Sequence, residues 1–361
     1  MTKHDPNHPS PVEGNSFSIV RMDPDGSDIT PIYPGLLALP TLPTWSNNGQ
    51  RIAVTDRTVS NPTNLYSSGI VSAFSTLNPD GSNVTQLFQT IGGGGNLDPS
   101  VPPELQLPNL HSRITGIEWS PDDTQVVVTT CFQSQGPYGF SDEACELQFR
   151  NSLNGEINSR IESGFRVDWN SNDQLLFGTE SFGELAPGIY EIDLAQNNAA
   201  EPTQLVRNWA NEVPFHGDYS PSWAPNGQTF AIVRDLPSTF RDGVGDLQWT
   251  KAIILYERNQ LPAGQDEPQF ALMVDHGNIL GSLEWSPDGK YLLYSLFNSN
   301  ENGIDSGSSA NVWWLEIESG KTREITNDGL STAANWRPSG SGPVTPPADF
   351  DQAIYLPLLR R

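Results

Sequence analysis

The sequence predicts an all-β chain, a six-bladed β-propeller of four-stranded antiparallel blades. Three observations carry this expectation. A Trp followed by a tight-turn phrase recurs six times. An apolar strand follows every copy except the last. A second phrase, strand–turn–strand, alternates with the first.

The six Trp residues are Trp45, Trp119, Trp169, Trp223, Trp285 and Trp336, with successive spacings of 74, 50, 54, 62 and 51. Behind them stand Ser46-Asn47-Asn48-Gly49, Ser120-Pro121-Asp122-Asp123, Asn170-Ser171-Asn172-Asp173, Ala224-Pro225-Asn226-Gly227, Ser286-Pro287-Asp288-Gly289 and Arg337-Pro338-Ser339-Gly340. Pro presets φ for the first corner of a turn, Asp or Asn bonds back to the backbone, and Gly accepts positive φ. The apolar strands behind these turns contain Ile52-Ala53-Val54, Val126-Val127-Val128, Leu175-Leu176-Phe177, Phe230-Ala231-Ile232 and Leu292-Leu293-Tyr294.

The second phrase is clearest at Phe17 to Ile32 around Asp23-Pro24-Asp25-Gly26, and at Ile70 to Leu87 around Asn78-Pro79-Asp80-Gly81. Weaker copies run over 147–161, 189–205, 252–274 and 312–325. Each blade therefore reads as a Trp strand, an apolar strand, and a third and fourth strand. The chain opens on a third-and-fourth-strand unit and ends on a Trp unit. The N-terminal strands are expected to complete the blade begun by Trp336, a closure that removes open sheet edges. Residues 1–15 read as a disordered N-terminal segment, 16–340 as the propeller, and 341–361 as a Pro-rich linker with a short apolar tail. That tail, Ala353 to Arg361, fits either a closing strand or a short surface-protein tail, and is too short to span a bilayer.

Composition narrows the partners. There are 43 acidic and 19 basic residues, a net charge of −24, which repels nucleic-acid phosphates and anionic lipid. No apolar run reaches membrane-spanning length, so neither nucleic-acid binding nor membrane insertion is expected. The polar start from Met1 to Pro9 lacks the apolar core of a signal peptide. Few Lys, two Cys and much Asn, Ser, Gly and Pro suit an extracytoplasmic protein, with a monomer expected.

The Trp285-Ser286-Pro287-Asp288-Gly289 phrase with its following apolar strand, and the Asp23-Pro24-Asp25-Gly26 turn, resemble the TolB-type (WD40-like) propeller repeat. The resemblance covers roughly residues 16 to 340 through several copies in register. It implies the propeller fold. It does not fix a function, because propellers host many activities.

In such a blade the short Pro-Asp-Gly turns lie on one face. Most of the long insertions, 56–69, 88–113, 131–146, 234–250 and 297–311, lie on the other and read as irregular loops. Loops on a rigid scaffold commonly carry recognition. This face holds Phe132, Tyr138, Phe140, Phe182, Trp209, Phe215, Tyr219, Phe240 and Trp249. Of these, Tyr138, Phe140, Trp209, Phe215, Tyr219, Phe240 and Trp249 are the expected ligand contacts, since exposed aromatics anchor protein and sugar recognition. The same rings could equally staple their own loops.

Three constellations could carry chemistry. His111, His216 and His276 fall eight, seven and nine residues before a Trp, in the stretches that link blades. Equivalent positions converging near the axis could hold one divalent metal with neighbours such as Asp218 and Asp275. The resemblance supports this reading, because some pectin-fragment lyases on related propellers use a His-based metal site there. Three unconnected loop histidines are the simpler reading. Glu118, Asp168 and Glu284 each precede a Trp on the innermost strand, where they could hold water or a cation or, the favoured reading, pair with a neighbouring blade's polar group. Cys131 and Cys145 flank one insertion, and a disulfide between them is feasible.

Other motifs are excluded. The run Gly92 to Gly95 has no following Gly-Lys-Ser/Thr, so it is not a phosphate loop. The Asp23 to Asp28 stretch lacks the spacing of a calcium loop. No Gly-x-Ser-x-Gly elbow occurs. The function expected is a non-enzymatic binding propeller without a cofactor, presenting a loop-rich, aromatic, acidic face to a protein or glycan. The alternative is a metal-dependent lyase or hydrolase acting on an acidic sugar through the three His.

Overall fold

The computed structural model describes residues 2–5, 16–23, 27–36, 43–59, 70–92, 110–136, 139–170, 174–179, 185–194, 201–207, 218–241, 247–260, 270–273, 278–298, 309–327 and 331–336. They fall into two compact units, the first drawn mainly from Met1–Arg21 and Ile29–Arg166 and the second from Met22–Asp28 and the residues from Val167 onward. In the first unit β1 (Thr2–Asp5), β2 (Ser16–Arg21) and β3 (Thr30–Leu36) pair in order. Two complete blades follow. One is β4 (Thr44–Trp45), β5 (Ile52–Val59), β6 (Ile70–Leu77) and β7 (Thr85–Gly92). The other is β8 (Leu110–Trp119), β9 (Gln125–Gly136), β10 (Gly139–Asn151) and β11 (Ile157–Ile161).

The second unit holds three complete blades. The first is β12 (Phe165–Trp169), β13 (Gln174–Thr179), β14 (Gly188–Asp193) and β15 (Thr203–Arg207). The next is β16 (Asp218–Trp223), β17 (Thr229–Arg241), β18 (Leu247–Glu257) and β19 (Phe270–Met273). The last is β20 (Asn278–Trp285), β21 (Tyr291–Asn298), β22 (Ser309–Glu316) and β23 (Thr322–Glu324). A short strand, β24 (Ser331–Ala333), precedes Trp336.

Five complete four-stranded blades thus stand within the two units, where the Trp count predicted six. The reason lies in the sixth Trp unit, which has no apolar strand behind it. The strand Thr2–Asp5 falls inside the 1–15 stretch that the sequence assigns no structure. Its four polar residues carry no β signal, and its order comes from pairing with Ser16–Ile19.

The recurring turn folds as its chemistry dictates. Ser286 and Tyr291 close the loop, with Ser286 N–H donating to Tyr291 O and Gly289 N–H to Ser286 O, both 2.8 Å. The Ser286 hydroxyl accepts the Tyr291 N–H at 2.9 Å and donates to Asp288 Oδ1 at 2.6 Å. Ser46 and Ser120 repeat the arrangement. Ala224 has no hydroxyl to offer, and Asn226 Oδ1 takes over by accepting both Gln228 and Thr229 N–H at 2.8 and 2.9 Å. Asp123 occupies the glycine slot of its turn with φ 59°. Its carboxylate accepts the N–H groups of Asn47 and Asn48 at 2.6 and 2.9 Å, tying two successive blades together.

The hydrophobic core lies between successive blade faces. Ala53 and Phe74 of one blade meet Ile114, Ile117, Trp119, Val126 and Val128 of the next. Leu176 and Ile189 meet Trp223, Phe230, Ile232 and Tyr256, and Ala231, Val233 and Ile253 meet Leu283, Trp285 and Leu292. Each such side chain contributes roughly 1.5–3 kcal/mol of burial, which makes blade stacking the main source of stability.

Two of the insertions expected to be irregular loops are continued ladders. β9 and β10 stay paired from Gln125↔Asn151 out to Gly136↔Gly139, with one register break between Phe140 and Glu143. β17 and β18 stay paired from Thr229↔Glu257 out to Arg241↔Leu247, with a break between Pro237 and Arg241. At 11 to 13 residues these strands exceed the 8 of their counterparts β5, β6, β21 and β22, and they form two hairpin arms.

Candidate functional site

Thr44, Glu118, Ser222 and Glu284, each preceding a Trp, sit at the same register position on the first strand of their blades. In the first unit the Thr44 hydroxyl donates to Ile117 O at 3.0 Å, and the Trp119 indole N–H donates back to Thr44 O at 3.1 Å. Glu118 Oε1 accepts the Trp119 N–H of its own strand at 3.1 Å.

The second unit carries a denser version. Asp168 accepts the Trp169 N–H at 2.8 Å through Oδ1, the Trp223 N–H of the next blade through Oδ2, and a bond from the Ser222 side chain. Glu284 accepts a bond from the Asn335 side chain. The Trp285 indole donates to Ser222 O at 3.0 Å and the Trp336 indole to Glu284 O at 3.2 Å. Asp168 and Glu284 therefore pair with neighbouring-blade groups, the favoured sequence reading. Ser222 and Asn335 were not singled out from sequence, although their positions before Trp223 and Trp336 mark them as equivalents.

Burial pushes both carboxyls of the second unit upward, and the charge of Asp168 pushes Glu284 further. Both residues are half-buried, and burial is the largest cause of each shift. Asp168 has three donors to hold its anion and Glu284 has one. Glu284 is the group that keeps its proton longest.

Strand bulges aim these side chains. The first strand breaks register between Ile114 and Gly116 in one blade, between Tyr219 and Ser222 in another, and between Leu280 and Glu284 in a third. Arg166 and Ser220, each three residues before a Trp, adopt positive φ of 50° and 53°. A bulge turns the following side chains and increases local twist.

The expected ligand-face residues are divided. Phe140 lies on β10, Phe240 on β17 and Trp249 on β18, all on the two arms, and Tyr219 lies on β16 opposite Val233. Trp249 stands opposite Pro237 in the ladder. Tyr219, Phe240 and Trp249 thus belong to one blade. Tyr138, Trp209 and Phe215 lie outside the described residues, as do His216 and His276. His111 is on β8, opposite Gln133, rather than in a linking stretch. Among the described residues no group of three or more His, Cys, Asp or Glu is arranged to hold a metal. Cys131 and Cys145 are opposite one another in the ladder and form a disulfide with Cα atoms 4.0 Å apart.

No protein-family model matches the chain. No curated protein matches it either. Solved structures do. A protein assigned as TolB from Agrobacterium tumefaciens superposes with a TM-score of 0.52 at 12% identity, over 89% of this chain and 94% of that one. The β-propeller domain of the Trilobed protease from Pyrococcus furiosus gives 0.41 at 11% identity over 87% and 90%. The periplasmic gluconolactonase PpgL from Pseudomonas aeruginosa gives 0.40 at 13% identity over 88% and 79%. With its recurring Trp-turn phrase and four-stranded antiparallel sheets, the chain has the fold of a β-propeller built from TolB-type blades.

Proposed function

We propose that this protein is a non-enzymatic binding propeller that presents its hairpin arms to a protein or glycan ligand. The observation behind this reading is the asymmetry of the blades. The β4–β5, β8–β9, β16–β17 and β20–β21 pairs are closed at one end by a short, internally bonded turn, whereas the β9–β10 ladder runs past Leu110↔Ser134 to Gly136↔Gly139 and the β17–β18 ladder runs well past Asp218↔Arg234 to Arg241↔Leu247. Phe140, Phe240 and Trp249 lie on those extensions. An extended ladder offers aromatic positions on a backbone already ordered, which lowers the entropy cost of binding. The disulfide is consistent with an extracytoplasmic setting.

The test compares the full chain with a variant in which residues 236–249 are replaced by Asn-Gly. Both are assayed against a glycan array and against candidate protein ligands. Loss of binding at an unchanged melting midpoint is expected. Equal binding by both proteins would overturn the reading. The metal-dependent alternative predicts a stoichiometric divalent ion in protein purified without chelator.

We also infer that the N-terminal strands and the Trp336 unit complete one further blade. The sheet of β1, β2 and β3 lacks a first strand within its unit, and Trp336 makes the indole bond typical of a blade-leading Trp. Deleting residues 1–33 should then abolish cooperative unfolding, and a truncated protein with an unchanged transition would refute the closure.

A further inference from the structure

We propose that Cys131–Cys145 is a directional thiol–disulfide exchange site at the root of the β9–β10 arm, attacked at Cys145 and releasing Cys131 to the Thr115 hydroxyl. This goes beyond the binding role and holds whatever the arm binds.

The position supports it first. β11 flanks β10 only as far as Leu147↔Ile161, so Cys145 lies two residues beyond the last rung with support on that side. Past it, residues 139–144 pair only with β9, through a broken register. The bridge therefore sits where the sheet loses its outer strand β11, while β8 still flanks β9 out to Leu110↔Ser134. The β17–β18 arm reaches a similar length with a similar register break among residues that include no cysteine. A disulfide is not required to build an arm on this scaffold, which leaves the bridge free to control one.

The surroundings of the two sulfurs support it second. Cys131 is buried, at 3% exposure, and Cys145 is only half-buried. An incoming thiolate meets Cys145. Thr115 is the extra residue of the β8 bulge between Ile114 and Gly116, and its Oγ lies 3.2 Å from Cys131 Sγ. A disulfide sulfur carries no hydrogen, so the hydroxyl is the donor. The same donor stabilises a thiolate on Cys131, and a better leaving thiolate speeds exchange.

The chemistry balances with a dithiol as reductant. Its thiolate attacks Cys145 Sγ, the Cys131–Cys145 bond breaks, and Cys131 leaves as a thiolate that takes up a proton. The second thiol of the reductant, once deprotonated, attacks the mixed disulfide and releases Cys145. Two electrons pass to the protein, giving two thiols, and the reductant becomes a disulfide. Residues 132–136 and 139–144, enclosed by a bridge of sequence separation 14, then keep the β9–β10 ladder and, out to Leu110↔Ser134, the β8–β9 ladder.

Glutathione, a monothiol, traps the first step. The folded full chain is incubated with excess glutathione, quenched in acid, and mapped by peptide mass spectrometry. The expected adduct is on Cys145, with Cys131 free. Thr115→Val should slow its formation about three- to tenfold, as expected for one lost hydrogen bond. Thr115→Ser, which keeps the hydroxyl, should restore the rate and shows whether loss in the Val variant is merely structural. Hydrogen exchange after reduction should rise in 132–144 and not in Val126 to Val128. An adduct on Cys131, resistance until denaturant is added, or a Thr115→Val rate equal to wild type would overturn the proposal.

Discussion

Two sets of carboxylates, those in the tight turns and those on the first strands, behave in opposite ways. At the turn, Asp122 accepts the Ser120 hydroxyl at 2.6 Å, the Thr124 N–H at 3.0 Å and the Thr124 hydroxyl at 2.9 Å. Partial burial works to raise its pKa, but these donors outweigh it and hold the carboxyl below the usual range. Asp80, bonded by the hydroxyl and N–H of Ser82, is also lowered. On the first strand of a different blade, Asp168 has three donors as well, yet its pKa is raised, because burial outweighs them. Donor number alone does not set the charge state. Access to water decides whether the same bonds win.

The comparison can be broken at four points. The largest effect is expected for Asp168→Ala. It leaves the Trp223 N–H of the next blade without its acceptor and removes a bond from Trp169, and should cost about 3 kcal/mol in denaturant unfolding. A cost near zero would mean that burial makes the inner carboxyl dispensable. On the turn side, Gly155→Ala should cost about 2 kcal/mol. Its φ is +73° and an added Cβ would lie 2.2 Å from Leu87 O of the preceding blade, so both conformation and space oppose the side chain. Asp122→Ala, at an exposed site, should cost only about 0.5–1 kcal/mol, measured in the same way.

The smallest effect is the pH response, and it is the most discriminating. The Glu284 pKa is raised above its ordinary 4.5 in the folded chain, so the stability linked to its proton is complete below that value. It is lost as pH rises through the raised value. Glu284→Gln should therefore flatten the alkaline side of a melting-midpoint profile by about 1–3 °C. Asp122 has the opposite sign. Its stability is present above the ordinary 3.8 and is lost as pH falls through the lowered value, so Asp122→Asn should flatten only the acid limb. Identical profiles for the two variants would erase the distinction between the regions.

Much of this fold was legible because the turn is local chemistry. Ser286, Asp288 and Gly289 bond to groups within five residues, and the sequence spells out each partner. The arms were not legible. Residues 131–146 are interrupted by Gly, Ser and Pro and read as a loop, yet pairing keeps 131–136 and 139–146 extended across one register break. β1 was hidden for the same reason, since Thr2–Asp5 is recognisable as a strand through its pairing with β2 and not through its own composition. At the inner strands the positions of Asp168 and Glu284 were readable from the Trp that follows each. That Asp168 also binds the Trp223 N–H depends on a neighbour 55 residues away, which spacing alone does not specify.

The indole bonds have a consequence for how such a chain can change length. Trp119 gives its N–H to Thr44 O, Trp285 to Ser222 O and Trp336 to Glu284 O, always one Trp unit back. Each joint joins a donor from the later unit to an acceptor on the earlier one, like links that hook in a single direction. Copying a whole unit within the gene inserts one new hook and one new eye, and leaves every existing link with a mate. Reversing or cutting a unit strands one of each in a dry place. Trp223, whose indole N–H is buried without a hydrogen-bond partner among the described residues, is the joint where the linkage has shifted to the Asp168 carboxylate.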